Sequence, residues 1–247
     1  MGCVSESSHI TVVDTDELTP IDTPVSGLTA HRTFETEQAT LIRLTVAPDT
    51  TGDWLCHPDR DLYGVLRSGR LELTTPDSPD HLEAESGDCI RMPAGVDYQL
   101  TAAGSEPVVV LAALVGSGPL FEAPDDPQAS ASTPEVARPE EFVDTAQLAN
   151  LSRRMPFPDA PVQQVVGHAD GEMASEWHHH GDNDVFGFVI EGAGYVDDGS
   201  ADPPLASTGS WFHVPAEVVH RDVNPQDAAQ DYVLWLTGSE PRMVRVD

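Results

Sequence analysis

The sequence predicts an all-β protein made of two tandem antiparallel barrels or sandwiches related by internal duplication. Three observations predict it. A collinear set of residues repeats at a nearly constant interval. Short β-branched or apolar runs recur between clusters of Gly, Pro, Asp and Ser. Convincing helical periodicity is absent, and many short strands with polar turns pack as a sandwich or barrel.

The repeat is the strongest of the three. Leu28 and Phe34 stand 123 residues before Leu151 and Phe157, and Trp54 and Gly64 stand the same distance before Trp177 and Gly187. Asp59, Asp61 and Gly69 precede Asp182, Asp184 and Gly192 by that interval too. It then shortens to 122, which relates Gly87 and Pro93 to Gly209 and Pro215, and Gly116-Ser117 with Pro119 to Gly238-Ser239 with Pro241. Scattered glycines match by chance, but a register held over most of a repeat does not. The stretch Glu122 to Pro134 is poor in apolar residues and suits a solvated linker. The expected division is therefore a first barrel over 1–121, a linker over 122–134 and a second barrel over 135–247.

In chain order, the first twenty residues are polar and read as a loose arm or an edge strand. Leu41 to Val46 and Arg70 to Thr74 alternate as half-buried strands do, and Val108 to Val115 and Tyr232 to Leu236 are apolar runs of strand length. Pro139 to Ser152 is the best candidate for a short helix or turn.

Composition narrows the partners and compartment. The formal net charge is −30, from 42 acidic and 12 basic residues, and every basic residue is arginine. Such a charge repels itself in dilute buffer but is screened within about 3 Å at molar salt. A cytosolic protein of a high-salt organism is the expectation. Its melting temperature should be lower in dilute buffer than in molar KCl, and equal values would refute that reading. The acidity argues against nucleic acid and anionic membrane as partners. The longest apolar run is Val108 to Val115, too short to span a bilayer, and the N-terminus has no apolar signal core. Cys3, Cys56 and Cys89 are few and odd in number, so no disulfide framework is expected.

Chemistry concentrates in Glu176 to Gly192, which starts with metal-ligand side chains and ends as an apolar run stopped by glycine. Alternate strand residues share a face, so His178 and His180 point one way and His179 the other. Two imidazoles on one face suit two adjacent positions on a metal. Downstream, Gly209, Pro215, His220 and Asn224 follow at regular spacing.

These residues resemble the two sequence motifs of the cupin superfamily. His178 and His180 match its His-x-His, Gly192 its closing glycine, and Gly209, Pro215, His220 and Asn224 its second motif. The resemblance implies a jelly-roll β-barrel in each half, hence a bicupin, with His178, His180 and His220 binding one divalent metal. Two departures stand out. Glu217 occupies the position of a motif glycine, so a different turn conformation is expected there. The family's metal-binding glutamate has no clear counterpart: Asp184 satisfies one spacing and Val185 the other. Three histidines alone, or three with Asp184, both remain open, and strand parity favours the first. Asp184 is otherwise a candidate general base.

In the first half His178, His180 and His220 correspond to Leu55, His57 and Tyr98. One histidine survives, with Tyr98 or Asp61 as weak additional donors, and a barrel without metal is expected. The resemblance implies a metal-dependent enzyme with Fe²⁺ foremost and Mn²⁺, Zn²⁺ or Ni²⁺ as alternatives. It implies an oxygenase acting on a small oxygenated organic molecule. The competing readings are a non-oxidative isomerase, lyase or decarboxylase, and a metal- or small-molecule-binding protein without turnover. A homodimer is compatible with all of them.

Overall fold

The structure is a computed structural model and describes residues 9–76, 78, 81–145, 150–238 and 243–246. It is nearly all β, with every strand pair antiparallel, and divides into two compact units. One unit is Thr19–Glu141; the other joins Met1–Leu18 to Phe142–Asp247. Thus Thr11–Asp14 is an edge strand of the second unit, where it pairs with Ser210 to His213. Glu135–Ala137 plays the same part in the first unit, pairing with Cys89 to Arg91. These boundaries differ from a division at 122–134, because edge pairing and not linker composition decides which unit a short strand joins.

The two units repeat one topology. In the first, a seven-stranded sheet runs in the order Glu135–Ala137, Cys89–Met92, Arg60–Ser68, Val108–Gly116, Ala39–Val46, Leu28–Glu35, Thr19–Ile21. In the second, the order is Thr11–Asp14, Ser210–Val214, Val185–Glu191, Gln230–Leu236, Gln163–Ala169, Leu151–Met155, Val143–Asp144. A smaller sheet closes each barrel: Leu82–Glu85, Arg70–Thr74 and Gln99–Ala102 in the first, and Met173–Ala174, Arg221–Asn224, Ala193–Asp197 and Leu205–Ser207 in the second. Alternation sends one row of side chains from each sheet into a shared interior. In the first unit Ile42, Leu44, Val46, Leu66, Leu71, Leu73, Leu100 and Val110 pack together there.

The expected helix or turn over 139–152 is a single 3-10 turn, Pro139–Glu141, followed by the strand Val143–Asp144; residues 146–149 lie outside the described set. Pro139 suits the first position of such a turn because it needs no N–H donor there. Cys56 and Cys89 are buried, and Cys3 lies outside the described residues. Among the described residues no helix is long and apolar enough to cross a membrane.

The turn at Glu217 keeps the conformation that glycine has in the first unit. Gly95 has φ +73° and Glu217 has φ +63°. The backbone is held left-handed by the fold, with Glu217 N–H donating to the Gly181 carbonyl at 2.7 Å. A side chain there costs roughly 1–2 kcal/mol. Glu217→Gly should therefore raise unfolding stability by about 1 kcal/mol in urea denaturation. A loss of stability would show that the side chain contributes more than the strain removes.

Candidate metal centre

His178 opens the short strand His178–His179, and His220 stands just before Arg221–Asn224. The two residues form an isolated antiparallel bridge, each N–H donating to the other's carbonyl at 2.8 Å. This bridge places two imidazoles side by side. His180 comes to the same face two residues on, as strand parity requires. The ring centroids of His178 and His180 are 5.0 Å apart, those of His178 and His220 4.4 Å, and those of His180 and His220 5.3 Å. One nitrogen from each ring lies within 4.8 Å of the others, and all three residues are buried. His179 is less buried, with its Nδ1 accepting from Gly181 N–H at 3.1 Å.

Two of the rings have their tautomers set by the backbone. His178 Nδ1 donates to the Glu176 carbonyl at 2.8 Å, and His220 Nδ1 to the Val218 carbonyl at 2.9 Å. Each Nε2 is then left as the lone-pair nitrogen. His178 Nε2 is buried with no hydrogen-bond partner. A buried acceptor without a partner costs about 1–3 kcal/mol, so a position like this calls for a ligand. Burial, with the neighbouring His178 and Arg153, lowers the His220 pKa below its ordinary value, although Asp222 and the Val218 carbonyl pull the other way. The neutral imidazole that a metal requires is thereby favoured.

The surroundings hold the histidines in place. Asn183 donates from Nδ2 to the His180 carbonyl at 2.6 Å. Val244–Arg245 pairs with the His178–His179 strand, and Val246 N–H donates to the Trp177 carbonyl at 3.0 Å. Asn224 bridges the Asp170 and Ala228 carbonyls from Nδ2, at 3.1 and 2.9 Å, and so serves the turn rather than the triad.

Asp184 is not brought to the triad. Its Oδ1 accepts from His213 Nε2 at 2.9 Å and from Ala216 N–H at 3.3 Å. Val185, its neighbour, packs in the barrel interior, so Asp184 points the other way. The first unit explains the role: Asp61, its repeat equivalent, accepts from Ala94 N–H at 2.7 Å in the matching turn. Asp184 thus caps a turn, as Asp61 does in the first unit. His213 is its partner and stacks on Phe186, with ring centroids 4.6 Å apart. His168 is a surface residue paired with Asp231 at 2.7 Å.

The first unit keeps the frame and closes the bond. Leu55 and Tyr98 form the same isolated bridge as His178 and His220. Tyr98 Oη donates to His57 Nε2 at 2.6 Å, and His57 Nδ1 donates to the Leu120 carbonyl. Both ring nitrogens are used. Burial, aided by Arg60 and only partly opposed by Leu120, lowers the His57 pKa to about 4.

Three interior residues of the second unit were not singled out by motif. Arg153 Nη2 donates to Asp222 Oδ2 at 3.1 Å, and its Nε donates to Tyr232 Oη at 3.3 Å. All three line a cavity of about 40 Å³ together with Met173, Phe212 and Leu234. Burial opposes the Asp222 charge, but Arg153 and the three histidines outweigh it and lower its pKa. Asp222 lines the cavity and stands two residues after His220. Its signal in sequence was available, because His220 and Asp222 are two apart on one strand face.

Comparison with known proteins agrees with this fold. Residues 42–114 match the family model of the cupin domain. That stretch lies in the unit that lacks the triad. Among solved structures, the chain is similar to Bacillus subtilis oxalate decarboxylase, a protein with Mn(II) centres, at TM-score 0.73 and 12% identity, covering 100% of this chain and 81% of that one. It is similar also to Lactobacillus farciminis oxalate decarboxylase in a formate complex, at TM-score 0.72 and 10% identity, covering 100% of this chain and 90% of that one. Identities this low establish the jelly-roll fold and leave the chemistry to the site. No curated protein matches the sequence.

Proposed function

We propose that this chain is a bicupin whose second unit binds one divalent metal ion through His178, His180 and His220. It would act on a small molecule in the adjoining cavity by non-oxidative chemistry of the lyase or decarboxylase kind. The observation that carries the metal site is the buried, unpartnered His178 Nε2 beside two further imidazoles. The donor set fits a borderline divalent ion: three neutral nitrogens, with positions left for substrate and water. When bound, the ion supplies Lewis-acid stabilisation of negative charge developing on the substrate.

The fold neighbours support the non-oxidative reading over the oxygenase expected from the motifs, and Mn²⁺ over Fe²⁺, because they are decarboxylases and one has Mn(II) centres. The chain's own residues contribute the rest. His178 and His220 are held by carbonyls in the tautomer that presents Nε2. Met173, Phe212 and Leu234 give the cavity an apolar wall. The test is anaerobic incubation of the Mn²⁺-loaded protein with a panel of small carboxylic acids, following CO₂ and the remaining organic product. Turnover without O₂ is expected; turnover that consumes O₂ stoichiometrically would restore the oxygenase reading.

A further inference from the structure

The duplication supplies an internal control for the barrel interior. In matching register, Arg153 pairs with Gly167 where Ala30 pairs with Leu44. Asp222 pairs with Val196 where Leu100 pairs with Leu73, and Tyr232 with Val189 where Val110 pairs with Leu66. Gly194 likewise pairs with Ala206 where Leu71 pairs with Ala84. The first unit therefore fills its interior with Ala30, Leu44, Leu71, Leu100 and Val110, all buried. The second replaces that filling with two glycines and a polar trio. Arg153 and Asp222 are half-buried and Tyr232 is buried, and taking these polar groups partly out of water where alanine, leucine and valine suffice is costly for stability alone.

The trio has a definite geometry. Arg153 lines the cavity and has five N–H donors, more than its two named bonds to Asp222 and Tyr232 use. Tyr232 and Asp222 raise the Arg153 pKa, outweighing the burial that opposes its charge. One Asp222 charge balances Arg153, so the interior is near neutral before any metal binds. A divalent ion on three neutral imidazoles would then leave the site net positive. Met173, Phe212 and Leu234 supply apolar wall, and Gln230 and Tyr195 add polar groups to the lining. A cavity of about 40 Å³ admits only a small occupant.

We infer that Arg153 is the substrate-recognising residue of the second barrel, taking the carboxylate of a short-chain carboxylic acid whose apolar body lies along Met173, Phe212 and Leu234. Asp222 and Tyr232 are positioning residues that hold the guanidinium fork. This rests on the second barrel being the substrate site, as proposed above, but does not need the metal for its test. Carboxylate recognition by arginine is charge-assisted and survives in metal-free protein.

Isothermal titration of the EDTA-treated full chain with isobutyrate and with isobutyramide checks it, with the metal content of each variant measured separately after Mn²⁺ reconstitution. Isobutyrate should bind roughly tenfold or more tightly than the amide, which has the same shape but no charge. Arg153→Gln should reduce isobutyrate binding to the level of the amide while retaining wild-type Mn²⁺ content. Should that variant not fold, Ala206→Leu fills the cavity from the opposite wall, leaves Arg153 in place, and should abolish binding of both probes. Equal binding of acid and amide, isobutyrate binding unchanged in either variant, or no binding of either probe would overturn the inference. Loss of Mn²⁺ binding with carboxylate binding intact would instead overturn the metal reading and leave this one standing.

Discussion

His180→Ala should purify with far less metal than wild type, and its affinity for Mn²⁺ should fall by more than about 100-fold. Loss of a residue that merely orients a metal ligand costs about 10–100-fold, and removal of a ligand costs more. Structural and catalytic sites use at least three protein ligands, and two imidazoles do not retain a divalent ion against buffer. The fold should survive, because the substitution keeps the His180 carbonyl that Asn183 holds. The duplication again supplies the control: His57→Ala should leave the metal content unchanged, since His57 Nε2 is already engaged by Tyr98. Equal metal in wild type and His180→Ala, measured by elemental analysis, would defeat the assignment of the site.

His57 should instead make itself felt in the pH dependence of stability. Its folded pKa is about 4 against an ordinary value of 6.5. Between those values the unfolded chain binds the proton and the folded chain does not, so stability falls as pH drops from 6.5 towards 4. Above 6.5 both states are neutral and the effect vanishes; below 4 it is complete. The limiting cost is on the order of 3 kcal/mol, and at pH 4.5 about 2–3 kcal/mol. Carboxylates titrate in the same range, so the comparison is between wild type and His57→Phe by urea denaturation at pH 7.5 and 4.5. The variant loses the Leu120 and Tyr98 hydrogen bonds at both pH values, but it should lose less on acidification. Parallel pH profiles for the two proteins would show that His57 is not held neutral by the fold.

Much of the architecture was legible because it depends on local pattern. Alternation located strands such as Arg70–Thr74 and Ala39–Val46, and the repeat predicted that one half would mirror the other. The triad was legible because His178 and His180 obey strand parity and His220 follows at motif spacing. Asp184 was ambiguous in sequence, as two spacings competed for it. Its partner Ala216 N–H is 32 residues away, a contact no local pattern reveals. Glu217 was misread for the opposite reason: local propensity predicted a changed turn, but the surrounding barrel holds the left-handed conformation of its glycine counterpart. Arg153 went unnoticed because a lone arginine on a strand is ordinarily a surface residue. Only its register opposite Gly167, with Tyr232 on the next strand, places it inside.

The sequence alone determined the strand-rich class, the duplication and the face on which His178 and His180 lie, because each follows from periods of two residues or from one repeated interval. Tertiary structure decided which short strands complete each barrel, since edge hydrogen bonds form wherever an unpaired strand is near. It also decided that Asp184 caps a turn, and that Asp222, Arg153 and Tyr232 line one cavity. Those outcomes depend on residues distant in the chain meeting at hydrogen-bond distance, which side-chain order along a strand does not specify.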